Sequence, residues 1–210
     1  FTSAQSNLTG AQSYSSPRGK EEVVCALTET DLKFGFREMN EIYAIIDAVG
    51  HSDFSRLKES LSRETSAEGL KEAIQKILST DSDTIRSIAE TVLSSDMSAT
   101  VINEKETKYF TSLVEIYPDD PGLLLFLLMN FITLEPGDFL YVSPGVTHAY
   151  LRGNVVEITS NSDNVIRCGL TPKHINVDEF FSIASFVSEQ PQIQTPVESV
   201  HTYESPTPFT

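Results

Sequence analysis

The stretch GDFLYVSPGVTHAYLRGNVVEITSNSDNVIRCGLTPK, residues 137–173, decides the fold of this chain. Short runs of β-branched and aromatic residues alternate in it with turn residues, as at Pro144-Gly145 and Gly153-Asn154. This is the pattern of short strands joined by tight loops. Strands of such length and spacing are typical of a jelly-roll sheet. With the run just upstream included, the predicted strands are residues 131–134, 139–142, 155–158 and 165–170.

A block of helices precedes these strands. From residue 39 to residue 130 apolar residues recur at the spacing of one helix face, as in Ile42, Ile45, Ile46 and Val49. Before this block, EVVCALT at residues 22–28 has the composition of a strand. The order strand, helices, strands predicts a mixed α+β fold in which an all-helical domain is inserted into a jelly-roll β-domain.

The predicted organisation has six parts. Residues 20–38 hold the first strands, 39–130 the inserted helical domain, 131–175 the later strands with the candidate site, and 176–188 a further helix. Residues 1–19 are a Ser-rich arm with few apolar side chains to bury, and 189–210 an extended tail or linker. Too few strands precede residue 30 to complete a barrel, so the β-domain is predicted to be incomplete and the chain to be a fragment of a longer protein.

Composition excludes several classes of function. The formal net charge of −15 over 210 residues argues against nucleic acid as a partner, because such binding depends on Lys and Arg contacts to phosphates. The longest apolar run, residues 123–129, is far shorter than the roughly 20 residues that cross a bilayer, so it predicts a buried helix and no membrane partner. Two distant cysteines, Cys25 and Cys168, exclude a disulfide framework and fit a reducing compartment.

His148 is the first candidate for a functional residue. It follows Pro144-Gly145 at the start of a predicted strand, where a rigid loop would present its imidazole, and neutral imidazole is a frequent metal ligand. An ordinary hydrogen-bonded histidine is the alternative. His51 and His201 have no neighbours in sequence that indicate a site.

A family resemblance favours the metal interpretation. The stretch GDFLYVSPGVTHAYLRGN resembles the second sequence motif of cupins, a Gly, a strand, a Pro and Gly, and then a metal-binding His. The longer run through Arg167 to Gly-Leu-Thr-Pro-Lys173 is similar to the signature of type I phosphomannose isomerases. Upstream, Cys25-Ala-Leu-Thr28 followed by Phe34-Gly35-Phe36-Arg37 resembles the segment after that family's Lys-Pro-Glu element.

The resemblance implies one zinc ion with His148 and Glu22 as two of its ligands. Glu22 is placed by counting back from Leu27-Thr28, and here the element reads Gly19-Lys20-Glu21-Glu22, without the usual His and Pro. A solvated acidic pair is the alternative for Glu21 and Glu22. The family's other two ligands come from an upstream Gln-x-His element, and residues 1–21 contain no His.

The resemblance also implies an activity, the interconversion of mannose 6-phosphate and fructose 6-phosphate through a cis-enediol. Arg167 would be the catalytic arginine, acting by charge stabilisation because it stays protonated. Lys20 and Lys173 would lie in the sugar-phosphate pocket, and Tyr150 and Glu157 would contact sugar hydroxyls; simple packing is the alternative for Tyr150. Family membership would place the protein in the cytoplasm, in carbohydrate metabolism, where it supplies activated mannose through GDP-mannose biosynthesis.

Two other interpretations remain at this stage. In the first, the chain is a truncated, catalytically silent cupin fragment that acts as a sugar-phosphate or protein-binding module. In the second, it is a different metal-dependent cupin enzyme. The latter would have to match Leu170-Thr171-Pro172-Lys173 by accident.

Overall fold

The computed structural model orders seven strands and eight helices along the part of the chain that it describes. Residues 1–18 of the predicted arm, and several short stretches including the end of the predicted tail, lie outside it. The described residues are 19–62, 65–98, 100–162, 164–188, 190–198 and 201–206.

The strands form two antiparallel sheets. The first sheet has the order β6-β1-β4-β7 and the second the order β3-β2-β5. Alternate residues of each strand meet in the core between the sheets, as with Val24 and Ala26 of one sheet and Leu32 and Phe34 of the other. The strands are β1 (Glu22–Ala26), β2 (Thr30–Phe36), β3 (Met129–Leu134), β4 (Phe139–Val142), β5 (His148–Arg152), β6 (Val155–Thr159) and β7 (Ile193–Gln194).

The hairpin formed by β5 and β6 divides between the two sheets. β5 is the edge strand beside β2, whereas β6 is the edge strand beside β1. The two edges therefore flank an opening at one side of the sandwich, where the inward-pointing side chains of Tyr150 and Glu157 are partly exposed.

Seven helices lie between β2 and β3, and one follows β6. They pack around α7, whose sequence GLLLFLL is buried at every position, as expected for a helix that is apolar on all sides. The helices are α1 (Met39–Val49), α2 (Ser52–Ser55), α3 (Leu57–Leu61), α4 (Ser66–Leu78), α5 (Ser82–Ser94), α6 (Glu104–Ile116), α7 (Gly122–Leu128) and α8 (Val177–Ile183). Among the described residues no helix is long and apolar enough to cross a membrane.

Two helices start one or two residues before the positions that the sequence predicts. Ser66 and Ser82 or Asp83 are the predicted N-caps, but the structure has Thr65 and Asp81 in this role, where they accept from the amides of Glu68 and Thr84. Each is the residue that has extended backbone and an oxygen within reach of the third amide of the helix, which is what capping requires.

The predicted strand at residues 165–170 is wrong. This segment crosses the start of α7 without joining a sheet, because its hydrogen-bonding groups and side chains have other partners. The amide of Leu170 donates to the carboxylate of Asp120, 2.9 Å away, and Ile166 and Cys168 pack into the helical core. Leu170 has a positive φ of 52°, which a strand does not contain.

A buried group of charges joins the second sheet to the helices. Lys33 and Arg37 of the β2 region both contact Oε1 of Glu106 on α6, the Arg37 Nη2 atom at 2.6 Å. The ammonium group of Lys33 also lies over the ring of Phe126, 4.1 Å from its centroid. Burial and the nearby charge of Arg37 together lower the pKa of Lys33 to about 7, although the charge of Glu106 opposes this shift.

The depressed pKa of Lys33 predicts a pH-dependent stability. Unfolded chains hold a lysine proton up to about pH 10.4, whereas folded Lys33 releases it from about pH 7. Between these values the unfolded state binds more protons, so the free energy of unfolding rises with pH, by up to about 1.4 kcal/mol per pH unit. In Lys33→Met this contribution is lost, and denaturant unfolding between pH 7 and 9 should show a flatter dependence.

Lys76→Met is the matched control, since Lys76 is a half-exposed lysine in a surface pair with Glu72. It should keep the slope of the unmodified chain. Equal slopes in the unmodified chain and Lys33→Met would contradict the prediction.

Candidate functional site

Glu22 and His148 meet in the space between the two sheets. Glu22 begins β1 and points inward with Val24 and Ala26, while His148 begins β5 of the facing sheet. Oε2 of Glu22 lies 3.1 Å from Nε2 of His148, and both side chains are at most 2% exposed. The carboxylate and the imidazole that the sequence predicts as metal ligands are therefore brought into contact.

The second nitrogen of His148 decides how this contact is made. Nδ1 lies 3.0 Å from the carbonyl oxygen of Val146, and because a carbonyl only accepts, Nδ1 carries the hydrogen. In a neutral ring Nε2 then presents its lone pair to the carboxylate oxygen of Glu22, whereas in a protonated ring Nε2 donates to that oxygen. Two acceptors at this distance need a proton or a cation between them.

The spacing of the pair is compatible with a zinc ion as well as with a hydrogen bond. Ligand atoms about 2 Å from a tetrahedral zinc ion lie about 3.3 Å from each other, close to the 3.1 Å between the Glu22 oxygen and the His148 nitrogen. The hydrogen bond from Nδ1 to a backbone carbonyl is also the usual support of a metal-bound histidine. Within the described ranges no third His, Cys, Asp or Glu joins them to form a cluster, so residues of these four types could offer at most two ligands here.

Lys20 lies between two carboxylates at this site. Its Nζ atom is 2.8 Å from Oε1 of Glu22 and 3.9 Å from Oε1 of Glu157. Burial alone would raise the pKa of Glu22, but the hydrogen bonds and charges of His148 and Lys20 lower it to about 2. Glu22 is therefore ionised at neutral pH, as a metal ligand must be. The alternative interpretation, in which Glu21 and Glu22 form a solvated acidic pair, is wrong for Glu22, because this residue is only 2% exposed.

Tyr150 and Glu157 connect the two edge strands. The Tyr150 hydroxyl donates to Oε2 of Glu157 at 3.0 Å, and the ring of Tyr150 meets that of His148 edge to face. Glu157 pairs with Val24 across β6 and β1, so it faces the inner side of its sheet. Burial and the adjacent Glu157 carboxylate raise the pKa of Tyr150, which keeps the hydroxyl protonated and able to donate.

Arg167 lies on the wall of a cavity of about 340 Å³ that His148 and Tyr150 also line. Much of the remaining wall is apolar, with Leu125, Phe126 and Phe180. A cavity with an apolar wall and a few convergent polar groups is the usual form of a small-molecule site. Contacts thus link five of the predicted residues, Lys20, Glu22, His148, Tyr150 and Glu157. Arg167 is related to them only through the cavity wall that it shares with His148 and Tyr150.

Lys173 is not brought to this region by any contact among the described residues. It is exposed, and the bond of its backbone amide goes to Thr171 Oγ1 at 3.2 Å. Conversely, Lys33 lines the cavity although nothing in its sequence neighbourhood indicated a site. Cys168 also lines it, but burial raises the pKa of its thiol to about 11, so it stays protonated and does not act as a thiolate ligand.

Asp120 holds the segment that carries Arg167. Its Oδ1 atom accepts from the Gly122 amide at 2.7 Å and its Oδ2 atom from the Leu170 amide at 2.9 Å. The two backbones approach so closely that a Cβ on Gly169 would lie 2.7 Å from the Cα of Gly122. Sequence reasoning missed this residue, and its one signal was an Asp just before the Pro-Gly that starts α7.

Removing the Asp120 carboxylate should loosen this segment. In Asp120→Ala two buried or half-buried amides lose their acceptor, which should lower the free energy of unfolding by about 1–3 kcal/mol and speed hydrogen exchange at Leu170. Asp119→Ala is the control, because Asp119 is about half exposed and makes only a surface contact of 3.5 Å with Arg86. Unchanged exchange at Leu170 in folded Asp120→Ala would refute the assignment.

No protein-family model matches the chain, but individual proteins do. A probable mannose-6-phosphate isomerase of Caenorhabditis elegans is 30% identical over 191 residues, which are 86% of this chain and 45% of that protein. The mannose-6-phosphate isomerase of Escherichia coli (strain K12) is 33% identical over 177 residues, 83% of this chain and 44% of that protein. The chain therefore spans under half the length of these curated relatives.

Solved structures show the same likeness. A crystal structure of mannose 6-phosphate isomerase with zinc bound shares 29% identity at a TM-score of 0.69, covering 83% of this chain and 43% of that one. A crystal structure of a phosphomannose isomerase variant from Salmonella typhimurium shares 28% identity at a TM-score of 0.73, and the match covers 93% of this chain and 49% of that one. The resemblance and the fold class predicted from the sequence are confirmed.

Proposed function

Because the chain is homologous to mannose-6-phosphate isomerases over more than four-fifths of its length, we propose that it is part of a zinc-dependent isomerase that interconverts mannose 6-phosphate and fructose 6-phosphate. The observation that carries the proposal is the contact between Glu22 and His148 between the two sheets, 3.1 Å apart. It joins a carboxylate and an imidazole, two zinc-ligand types, at one point of a fold shared with a zinc-bound isomerase.

Glu22 and His148 would hold the zinc ion, with two further ligands supplied from outside this chain. When bound, zinc polarises a sugar carbonyl and stabilises negative charge on its oxygen. Val146 keeps the His148 ring in the tautomer that offers Nε2, and Lys20 keeps Glu22 ionised by its charge and hydrogen bond. The metal centre is thus prepared by residues that do not themselves touch the metal.

Arg167 would stabilise the charge that develops on the substrate. The reaction moves a proton between C1 and C2 of the open-chain sugar, through a cis-enediol whose oxygens carry partial negative charge. A guanidinium group stays protonated and offers several donors in one plane, so Arg167 suits charge stabilisation and substrate positioning, not proton abstraction. Asp120 would act through Arg167 by fixing the backbone of its segment.

Lys20, Tyr150 and Glu157 would orient the sugar. They already form a chain of contacts at the opening between β5 and β6, where a hydroxyl group of a sugar can exchange with the Tyr150 to Glu157 hydrogen bond. Lys173, which is exposed and follows Arg167 in the chain, would meet the phosphate. These local cations offset the net charge of −15, since distant surface charges are screened at ordinary salt.

A second candidate function follows from the incomplete ligand set. The part of the chain that the structure describes has no group of three or more His, Cys, Asp or Glu that could hold a metal ion, and a cupin with a weak or absent metal would bind a sugar phosphate without converting it. For the enzyme we propose a place in the cytoplasm, where its product enters GDP-mannose biosynthesis.

Zinc content and turnover separate the two functions. The chain is purified alone and with its natural upstream residues restored, and zinc is measured beside fructose 6-phosphate formation. We expect the extended chain to hold one zinc ion and to turn over, and His148→Ala to lose both. His201→Ala should lose neither, because the His201 ring lies edge to face against Tyr203, away from the site.

Zinc and turnover at the level of the unmodified protein in His148→Ala would refute the assignment of His148 as a zinc ligand. An extended chain with neither zinc nor turnover would refute the isomerase proposal. An extended chain that binds mannose 6-phosphate in a direct titration but never converts it would establish the binding module instead.

Arg167→Lys tests the catalytic assignment without removing the charge. Lysine lacks the planar set of donors, and loss of one oriented donor at a developing oxyanion lowers kcat by about 10²- to 10³-fold. We expect kcat of the extended chain to fall in this range while the zinc content stays unchanged. Arg152→Lys, at the exposed end of β5, should keep kcat within about twofold, and the same small effect in Arg167→Lys would show that Arg167 is not catalytic.

A further inference from the structure

A second cavity, of about 210 Å³, lies inside the helical block and apart from the Glu22 and His148 site. It is enclosed by the end of α5, the start of α6 and one side of α7. Its wall is largely apolar, with contributions from Val92, Met97, Ile102, Phe110 and Leu127.

One charged side chain, Glu106, lies at the inner end of this cavity. It is fully buried, and its Oε1 atom forms ion pairs with both Lys33 and Arg37. Its Oε2 atom is also buried but has no hydrogen-bond partner in the residues that the structure describes. Since Oε1 faces the two cations, Oε2 is the oxygen that remains for the cavity, and a buried acceptor without a donor is unfavourable.

The charges around the cavity restrict what can donate to Oε2. Lys33 and Arg37 already compensate the Glu106 carboxylate, so a third buried cation would lack a counter-charge. Asp96 lines the outer part of the cavity, and its carboxylate disfavours an anion. A neutral donor on an apolar body satisfies all of these conditions.

We propose that this cavity binds a neutral small molecule with an apolar body of about six carbon atoms and a single hydroxyl group, whose hydroxyl donates to Oε2 of Glu106. An apolar cavity of about 150 Å³ accommodates benzene, so 210 Å³ leaves room for a ring that carries a hydroxyl. Phenols and six-carbon alcohols are the chemical class. The proposal does not depend on the isomerase activity.

Phenol and toluene distinguish this site from a merely apolar void. The two probes have nearly the same size, but only phenol can donate to Oε2, and a site with a buried acceptor discriminates against the analogue that leaves it unpaired. In ligand-observed NMR titrations of the purified chain, we expect phenol to bind and toluene to bind at least about tenfold more weakly.

Leu93→Trp locates the binding. Leu93 lines the cavity and is 43% exposed near the end of α5, so a larger side chain there should block the opening without disturbing the core. Phenol binding should be lost in Leu93→Trp and kept in the matched variant Leu93→Ala, with unchanged far-UV circular dichroism in both.

Three results would overturn the proposal. The first is equal affinity for phenol and toluene. The second is that neither probe binds, which would leave water as the occupant of the cavity. The third is phenol binding that persists in Leu93→Trp. The comparison of the two probes on the unmodified chain decides the matter even if Leu93→Trp fails to fold.

Discussion

The structure depends on one strand that is buried on both faces. All seven residues of β2, Thr30–Phe36, are inaccessible, although their side chains alternate between two different environments. Leu32 and Phe34 face the first sheet and form the sandwich core, whereas Asp31 and Lys33 face the helices and form hydrogen bonds and ion pairs with α6. One strand therefore joins the two halves of the molecule, by apolar packing on one side and by buried charge on the other.

The second face of β2 explains how the helical block is held. Asp31 accepts from Tyr109 and Thr133, each at 2.7 Å, and pairs with Lys105, so its buried carboxylate is fully compensated. Polar contacts of this kind are strongly directional, and unpaired members are costly. They restrict α6 to one position on the sheet, whereas an apolar surface alone would tolerate sliding. The same α6 carries Glu106, which links this arrangement to the interior of the helical block.

Much of the fold follows from local patterns in the sequence. The spacing of Ile42, Ile45, Ile46 and Val49 predicts the buried face of α1, and the turn residues around Pro144-Gly145 predict the loop before β5. The Glu22 and His148 pair could be predicted only through the family resemblance, because 126 positions separate the two residues and no local pattern joins them. Lys33 and Asp120 escaped prediction for the same reason, as their partners Glu106 and Leu170 lie far along the chain. The error at residues 165–170 has a different origin, since a β-branched run indicates burial but does not say which element covers it.

The division of the β5–β6 hairpin between two sheets has a consequence for how the chain behaves in solution. In the described part of the molecule the outer edges of β5 and β6 have no neighbouring strand, and Val156 and Ile158 on β6 are about half exposed. Edges with unpaired backbone groups and apolar side chains are templates for the addition of another strand. The opening between β5 and β6 is therefore also a place where the isolated chain is prone to self-association, and the associated fraction should rise with protein concentration.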